Sequence, residues 1–361
     1  MAPLALWLGM VGFGGGYAVI AQMEASIVRR RRWVDAHEYA EMVSIAQSLP
    51  GAVGANFFTL LGMRARGVAG AALATAAFLA PSTLLMILFG VFYDRLKSLS
   101  AVAAIFAGIN PAIVAVIATV AWKLAKESRK PWQLVVAAAT VVAIETTVLD
   151  VFEAILAAVV IALMVSTWRS RRDRPPPALV ALPFDMGAIP RLAWVFLKIG
   201  AAAFGGGLAM IPIIDHQLVE RLHWLTPREF TDAVTLGQIT PGPIAITAAF
   251  VGFRVARTAG ALLATAAVFL PGFVGTVLAA RSIEAFRSSE RVRAVLAALA
   301  PVVVGVVMAA LLSLGRATLH GWPDGAVALT SLAALLLLRA PPLLVLALAA
   351  ALHAGLVHLG W

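Results

Sequence analysis

Phe204-Gly205-Gly206-Gly207, followed by Asp215, Arg221, Trp224-Leu225, Glu229-Phe230, Gln238 and Pro241-Gly242-Pro243, is the stretch that decides how this 361-residue chain folds. It has occurred once already. Phe13-Gly14-Gly15-Gly16 stands 191 residues earlier (204 − 13), and the same offset pairs Glu24 with Asp215, Arg30 with Arg221 and Trp33 with Trp224. It also pairs Glu38 with Glu229, Gln47 with Gln238 and Pro50-Gly51 with Pro241-Gly242. After one deleted residue an offset of 190 carries Gly62 to Gly252, Arg64 to Arg254, Gly70 to Gly260, Pro81 to Pro271 and Pro111 to Pro301. A match running through so much of each half is an internal duplication, and it has to be read before any single element.

Between the copies lies Arg169 to Gly187, with Arg169, Arg171, Arg172 and Arg174 and the run Pro175-Pro176-Pro177. Such a segment resists helix formation and cannot lie in lipid. The chain therefore divides into a first repeat (1–168), a cytoplasmic linker (169–188) and a second repeat (189–361). The residues are 61% apolar and 13% charged, about half the charge of a soluble domain, and the apolar runs reach the length that crosses a bilayer. The net charge of +10 belongs to cytoplasmic loops rather than to nucleic-acid binding, because such loops collect Lys and Arg. With no cysteine, disulfides and thiolate chemistry are excluded. Met1 to Leu4 carries no basic stretch, so the first apolar segment is expected to be a retained helix rather than a cleaved signal.

The fold class expected is an all-α polytopic membrane protein with five spans per repeat. They run near 3–21, 67–93, 101–122, 131–148 and 151–168, then 191–211, 258–280, 292–315, 322–338 and 341–361. Each repeat also holds a shorter apolar piece, from Pro50-Gly51 to Arg64 and from Pro241-Gly242 to Arg254. At 1.5 Å per residue it reaches only about 20 Å, so it reads as a re-entrant half-helix. With an outside N-terminus, this arrangement puts 20 of the 28 Lys and Arg inside, in keeping with the positive-inside rule. Five spans is an odd number. The second repeat then enters from the opposite side, and the two are inverted about an axis in the membrane plane.

Three adjacent glycines weaken a helix, and their recurrence has two explanations: close helix packing, or unwound backbone lining a cavity. Pro50-Gly51 and Pro241-Gly242 read as helix starts, with proline in the first turn. A half-helix N-terminus offers N–H groups and partial positive charge to an anion, unless the two residues merely make a loop between spans. Candidate substrate-binding positions are accordingly Gly14, Gly15, Gly16, Gln47, Pro50, Gly51, Lys198, Gly205, Gly206, Gly207, Gln238, Pro241 and Gly242. Lys198, an ionisable group inside a span, is an anion counter-charge or a snorkelling anchor. Glu24 and Asp215 carry protons for coupling or cap the next helix. Arg64 and Arg254 attract anions at two mouths or anchor topology, and Glu145, late in its span, is a coupling or gating residue or marks the outer end of the span. Thr226-Pro227-Arg228-Glu229 is a capping box, and Trp33 and Trp224 suit the headgroup region.

These motifs resemble the chromate ion transporter family, two-domain long-chain type: Phe-Gly-Gly-Gly, an acidic residue, a basic stretch, Trp, an acidic-aromatic pair, Gln and Pro-Gly. The second repeat carries the complete set, whereas in the first Ala52 stands where the second has Pro243. The resemblance implies a secondary active transporter in a bacterial inner membrane that exports chromate, coupled to the proton gradient or to anion exchange, with sulfate as isostere. The alternative is a transporter or channel for another small inorganic anion. Partners expected are the oxyanion, membrane lipid and a second copy in a homodimer, with no nucleic acid. An enzyme is not expected, because His-Glu-x-x-His, paired carboxylates within a span and a serine nucleophile with a placed histidine are all missing. Neither a cofactor nor a metal is called for: His353 and His358 are five apart and share no helical face.

Overall fold

The computed structural model describes residues 1–12, 16–127, 130–146, 151–170, 188–203, 210–281, 289–338 and 340–358. These are helical throughout, with no strand among the described residues, as the apolar patterning demands. In the first repeat α1 (Ala2–Val11) stops before the glycine motif. The chain resumes as α2 (Gly16–Glu24), which widens into a π turn over Ala25–Arg30. Then come α3 (Ala36–Ser48), α4 (Val53–Leu96), α5 (Ser100–Glu127), α6 (Pro131–Glu145) and α7 (Val151–Ser170). The second repeat has α8 (Ala188–Ala202) and α9 (Met210–Asp215) with its π turn His216–Arg221. After them run α10 (Pro227–Ile239), α11 (Thr247–Arg281), α12 (Glu290–Thr318), α13 (Trp322–Leu336) and α14 (Pro342–His358). The duplication survives in fine detail. The two π turns lie 191 residues apart, as do Arg32 and His223, which hold φ values of 53° and 51°.

Two expected spans, 3–21 and 191–211, are thus not continuous helices; each leaves the helix at Gly12 or Ala203, just ahead of its glycine motif. α3 and α10 start as their sequences dictate. Asp35 accepts the Glu38 N–H at 2.8 Å. Thr226 and Glu229 close the expected capping box, with Pro227 at the first position. Among the described residues, four helices are long and apolar enough to cross a membrane by themselves: Val53–Leu96, Ala104–Lys126, Ile244–Arg281 and Ala294–Thr318. α6 and α13 have 15 residues each, about 22 Å, so they fall short of the spans expected at 131–148 and 322–338.

α4 and α11 are helical hairpins. In α4 the backbone leaves the helix at Arg66 (φ −148°, ψ 29°) and Gly67 (φ 61°, ψ −150°); in α11 it does so at Ala256 (φ −142°, ψ 34°) and Arg257 (φ 53°, ψ −148°). The short arm, expected to end at Arg64 or Arg254, turns back just beyond those residues. Thr59 Oγ1 meets Thr75 Oγ1 at 2.7 Å across the first hairpin, and the Phe58 and Phe78 rings lie 5.0 Å apart. Gly62 faces Gly70, and Gly252 faces Gly260, at backbone contact. Small residues permit that approach, which brings dispersion contacts along both arms.

Two packing relations tie the repeats together. α1 lies on α4 and α8 lies on α11, while α4 and α11 lie on each other. Farther out, α5 packs against α13 and α14, and α12 packs against α6 and α7. Each repeat therefore covers the outer helices of the other, and neither closes a core alone. Arg254, near the turn of the second hairpin, pairs with Asp94 at the far end of α4 (2.9 Å). The two hairpin turns consequently lie at opposite ends of the long arm 68–96, about 43 Å apart at 1.5 Å per residue.

Candidate functional site

The two Pro-Gly loops and the two helix breaks meet between the hairpins. The Gly51 N–H donates to the Ala203 carbonyl at 2.8 Å, and the Gly242 N–H donates to the Gly12 carbonyl at 3.0 Å. Ala203 and Gly12 are the last described residues before the two glycine motifs. Each loop thus caps the broken helix of the other repeat, answering a carbonyl that helix interruption leaves without its usual partner. Gly51 and Gly242 hold φ values of 99° and 104°, which favour glycine. This positive φ also corrects the expected helix start: Pro50 and Pro241 lie in turns, and the α-helices begin at Val53 and Thr247. Pro243 instead caps a 3₁₀ turn, Ile244–Ile246, that leads into α11.

Each loop also touches the middle of the partner's long arm. Gly51 sits against Gly272, and Gly242 against Ser82, which lies midway along 68–96. The offset of 190 makes Ser82 and Gly272 equivalent, so a hydroxyl marks one side of the crossing and a bare backbone the other. Ser82 has no accessible surface, and its Oγ has no hydrogen-bond partner among the described residues. The same holds for the Gln238 Nε2 atom at the end of α10. Orphan buried donors are costly; where they border interrupted helices they offer an anion neutral donors. On the other side the Asn56 amide holds the first loop, donating to Ala46 O at 3.1 Å and to Pro50 O at 3.0 Å.

The structure brings Pro50, Gly51, Pro241, Gly242 and Gln238 to this crossing region; Gly16 opens α2 close by in sequence. Gly14, Gly15, Gly205, Gly206 and Gly207 lie outside the described residues. Lys198 is half-buried on α8, one turn before its end at Ala202. Gln47 is exposed and, with Glu24, Tyr39 and Ser44, lines a separate open cleft of about 370 Å³. Glu24 pairs with Arg29 at 3.1 Å. Asp215 is buried at the end of α9 and accepts the Ser313 hydroxyl at 3.2 Å. Glu145 pairs with Arg316 at 2.5 Å.

Arg64 and Arg254 both carry ion pairs, and their partners are equivalent too. Arg64 meets Glu38, and Arg254 meets Glu229 at 2.8 Å in addition to Asp94. Lys97 extends the second cluster, reaching Asp94 at 2.7 Å. Burial pushes Glu229 up, but the Thr226 N–H and the Arg254 guanidinium outweigh it, so Glu229 titrates low. Beside this cluster lies a residue the sequence reading passed over. Asp232 of α10 is 2% exposed and accepts the Tyr93 hydroxyl at 2.6 Å; burial pushes its carboxyl up. The signal was present: the offset of 191 pairs Asp232 with Glu41. Ser82 was equally legible, next to the matched prolines Pro81 and Pro271.

Apolar hairpins, interrupted helices and repeats that cap each other define a multi-pass membrane protein of duplicated, all-α build. The chain belongs to the chromate transporter family, whose family model matches residues 2–181 and 190–354. It is 33% identical over 355 residues to a chromate transport protein of Cupriavidus metallidurans, covering 92% of this chain and 86% of that protein. To a probable chromate transport protein of Synechococcus elongatus it is 32% identical over 345 residues, covering 91% and 87%. An uncharacterised transporter of Bacillus subtilis matches at 29% identity over 122 residues, which is 34% of this chain but 62% of that protein. No solved structure matches.

Proposed function

We propose that the protein is a secondary active transporter that exports chromate, and accepts its isostere sulfate, across the inner membrane of a bacterial cell. The crossing of two Pro-Gly loops and two interrupted helices at the middle of the long arms carries this reading. A tetrahedral dianion needs several converging donors, yet must leave again. The Ser82 hydroxyl and the Gln238 amide supply neutral hydrogen bonds without the deep well that a fixed ion pair would create. In a membrane such irregular backbone is tolerated only where protein buries it or where it lines a cavity. Chromate enters through the names of the relatives, and sulfate through its matching charge and shape.

The same geometry supports inverted repeats. Hairpin turns at opposite ends of 68–96, with reciprocal loop capping between them, are what a two-fold axis in the membrane plane would generate. The two sequence repeats are then the two moving parts, and 169–188 is the cytoplasmic connection. Coupling is to the proton gradient or to anion exchange. Lys198, half-buried on the broken α8, supplies long-range attraction for the anion.

The test is chromate flux into proteoliposomes, with and without a pH gradient and with excess sulfate on either side. Flux that sulfate competes away and that falls at least tenfold in Gln238→Ala is the expected result. Absence of chromate and sulfate flux overturns the substrate assignment.

A further inference from the structure

Asp232 is a carboxyl in an unusual place. It lies in the second turn of α10, 2% exposed, with the Tyr93 hydroxyl as hydrogen-bond donor. Tyr93 is itself 2% exposed and fixed on three sides. The Phe250 ring of α11 meets it edge-on at 5.1 Å, the Arg254 guanidinium stands 5.4 Å from its centroid, and the Lys97 ammonium 5.3 Å. Those two cations are held by Asp94 and Glu229. Asp232 thus leans on a hydroxyl while Lys97 and Arg254 pair with other carboxylates, and Arg228, one turn back on α10, attracts it through space. A buried carboxylate in that position is poorly compensated and gains by taking a proton. Other charged groups on the packed elements are Arg228 on α10 itself and Asp215 and His216 on α9; from α5 the neutral Asn110 faces α10, through Thr235.

We propose that Asp232 is the carboxyl at which a proton couples to transport, with Tyr93 as its positioning residue. The inference rests on the transport reading above and names its coupling site. One proton binds one carboxylate oxygen. The neutral acid accepts the Tyr93 hydroxyl less strongly, which loosens Tyr93 from α10 and with it the clamp of α4 on the second hairpin. Asp232 and Gln238 share one rigid helix, six residues or about 9 Å apart along its axis. A shift of α10 at Asp232 therefore reaches the Gln238 amide and the Gly242 loop. The first repeat has the less buried Glu41 at this position, so coupling resides in one repeat and carries one proton.

In proteoliposomes, Asp232→Asn is expected to keep chromate–sulfate exchange within about twofold of the parent, while flux driven by the pH gradient falls at least tenfold. Unchanged gradient-driven flux, or equal loss of both activities in a folded variant, overturns the assignment. Tyr93→Phe keeps the ring and removes the donor, so the proton affinity of Asp232 should rise about tenfold and the pH profile of flux should move to higher pH. An unmoved profile overturns it as well. Infrared difference spectroscopy on the detergent-solubilised protein needs no anion. A carboxyl band that titrates, vanishes in Asp232→Asn and moves in Tyr93→Phe supports the site even if neither chromate nor sulfate is carried; no such band refutes it.

Discussion

The two repeats use one scaffold and load it differently. The first repeat's loop rests on Gly272 and is braced by the Asn56 amide; the second repeat's loop rests on Ser82, whose hydroxyl is orphaned. One hairpin turn carries a single ion pair, Arg64 with Glu38; the other carries Arg254 among Glu229, Asp94 and the Lys97 neighbour. Duplication supplies the fold, and divergence supplies the polar groups. One loop is braced by a side-chain amide, while the other rests on an orphaned hydroxyl.

The largest effect that can break the comparison is all-or-none. If the repeats are inverted, single-cysteine variants Arg30→Cys and Arg221→Cys, made in this natively cysteine-free chain, label from opposite faces of the membrane. Labelling from the same face ends the inverted reading. Next comes the crossing itself. A Cβ on Gly242 would lie 2.2 Å from Ser82 Oγ, whereas one on Gly51 meets nothing closer than 3.6 Å. Both substitutions strain a positive φ, about 1–3 kcal/mol, but only Gly242→Ala adds a clash worth a further 1–3 kcal/mol or so. Thermal unfolding in detergent should therefore place Gly242→Ala well below Gly51→Ala. Adding Ser82→Gly should restore most of the difference, since it copies the first repeat's arrangement. If the two alanine variants melt alike, the Ser82 contact is not what separates the loops.

A smaller contrast is electrostatic. Arg254 is 21% exposed and binds two carboxylates, while Arg64 is 51% exposed and has one ion pair. Arg254→Gln should cost about 1–3 kcal/mol, and Arg64→Gln under about 1 kcal/mol. Glu229 titrates below its ordinary range in the fold. The stability it lends is complete above the unfolded carboxylate range and is lost as pH falls through its lowered folded value. Arg254→Gln removes a cause of that shift, so the acid-induced drop in melting temperature should shrink in that variant. An equal drop in parent and variant would detach the clamp from the carboxylates.

How much of this was legible in the chain divides along physical lines. The duplication, the helix breaks and the hairpins came from residues that act locally: glycines, prolines and the length of an apolar run. The capping box at Thr226 and Glu229 was readable for the same reason, because its partners are three residues apart. What stayed hidden depends on contacts across the fold. The bond from Tyr93 to Asp232 spans 139 residues, and Arg254 to Asp94 spans 160. The reciprocal capping of Gly12 and Ala203 joins backbone groups that carry no side-chain signal. Ser82 and Asp232 did have a signal in the repeat alignment: Ser82 stands opposite Gly272, and Asp232 is an acidic position matched by Glu41.

The smallest effect concerns the hairpin turns, where the repeats adopt one backbone with different residues. Gly67 has φ 61° and ψ −150°; its equivalent Arg257 has φ 53° and ψ −148°. That region suits glycine and strains any residue with a Cβ, about 1–3 kcal/mol. A Cβ on Gly67 would meet nothing within 4 Å, so Gly67→Ala isolates the backbone cost and should lower the melting temperature. Arg257→Gly should raise it, by less than the full strain. The arginine stacks on Phe253 with its guanidinium 5.9 Å from the ring centroid, a contact worth about 0.5–1 kcal/mol at an exposed site, and glycine gives it up while gaining freedom in the unfolded chain. A net gain near 1 kcal/mol is the expectation from those opposing terms. If Arg257→Gly instead destabilises as much as Gly67→Ala does, the second turn is held by the arginine's own contacts, and the strain has been retained for a function that the first turn lacks.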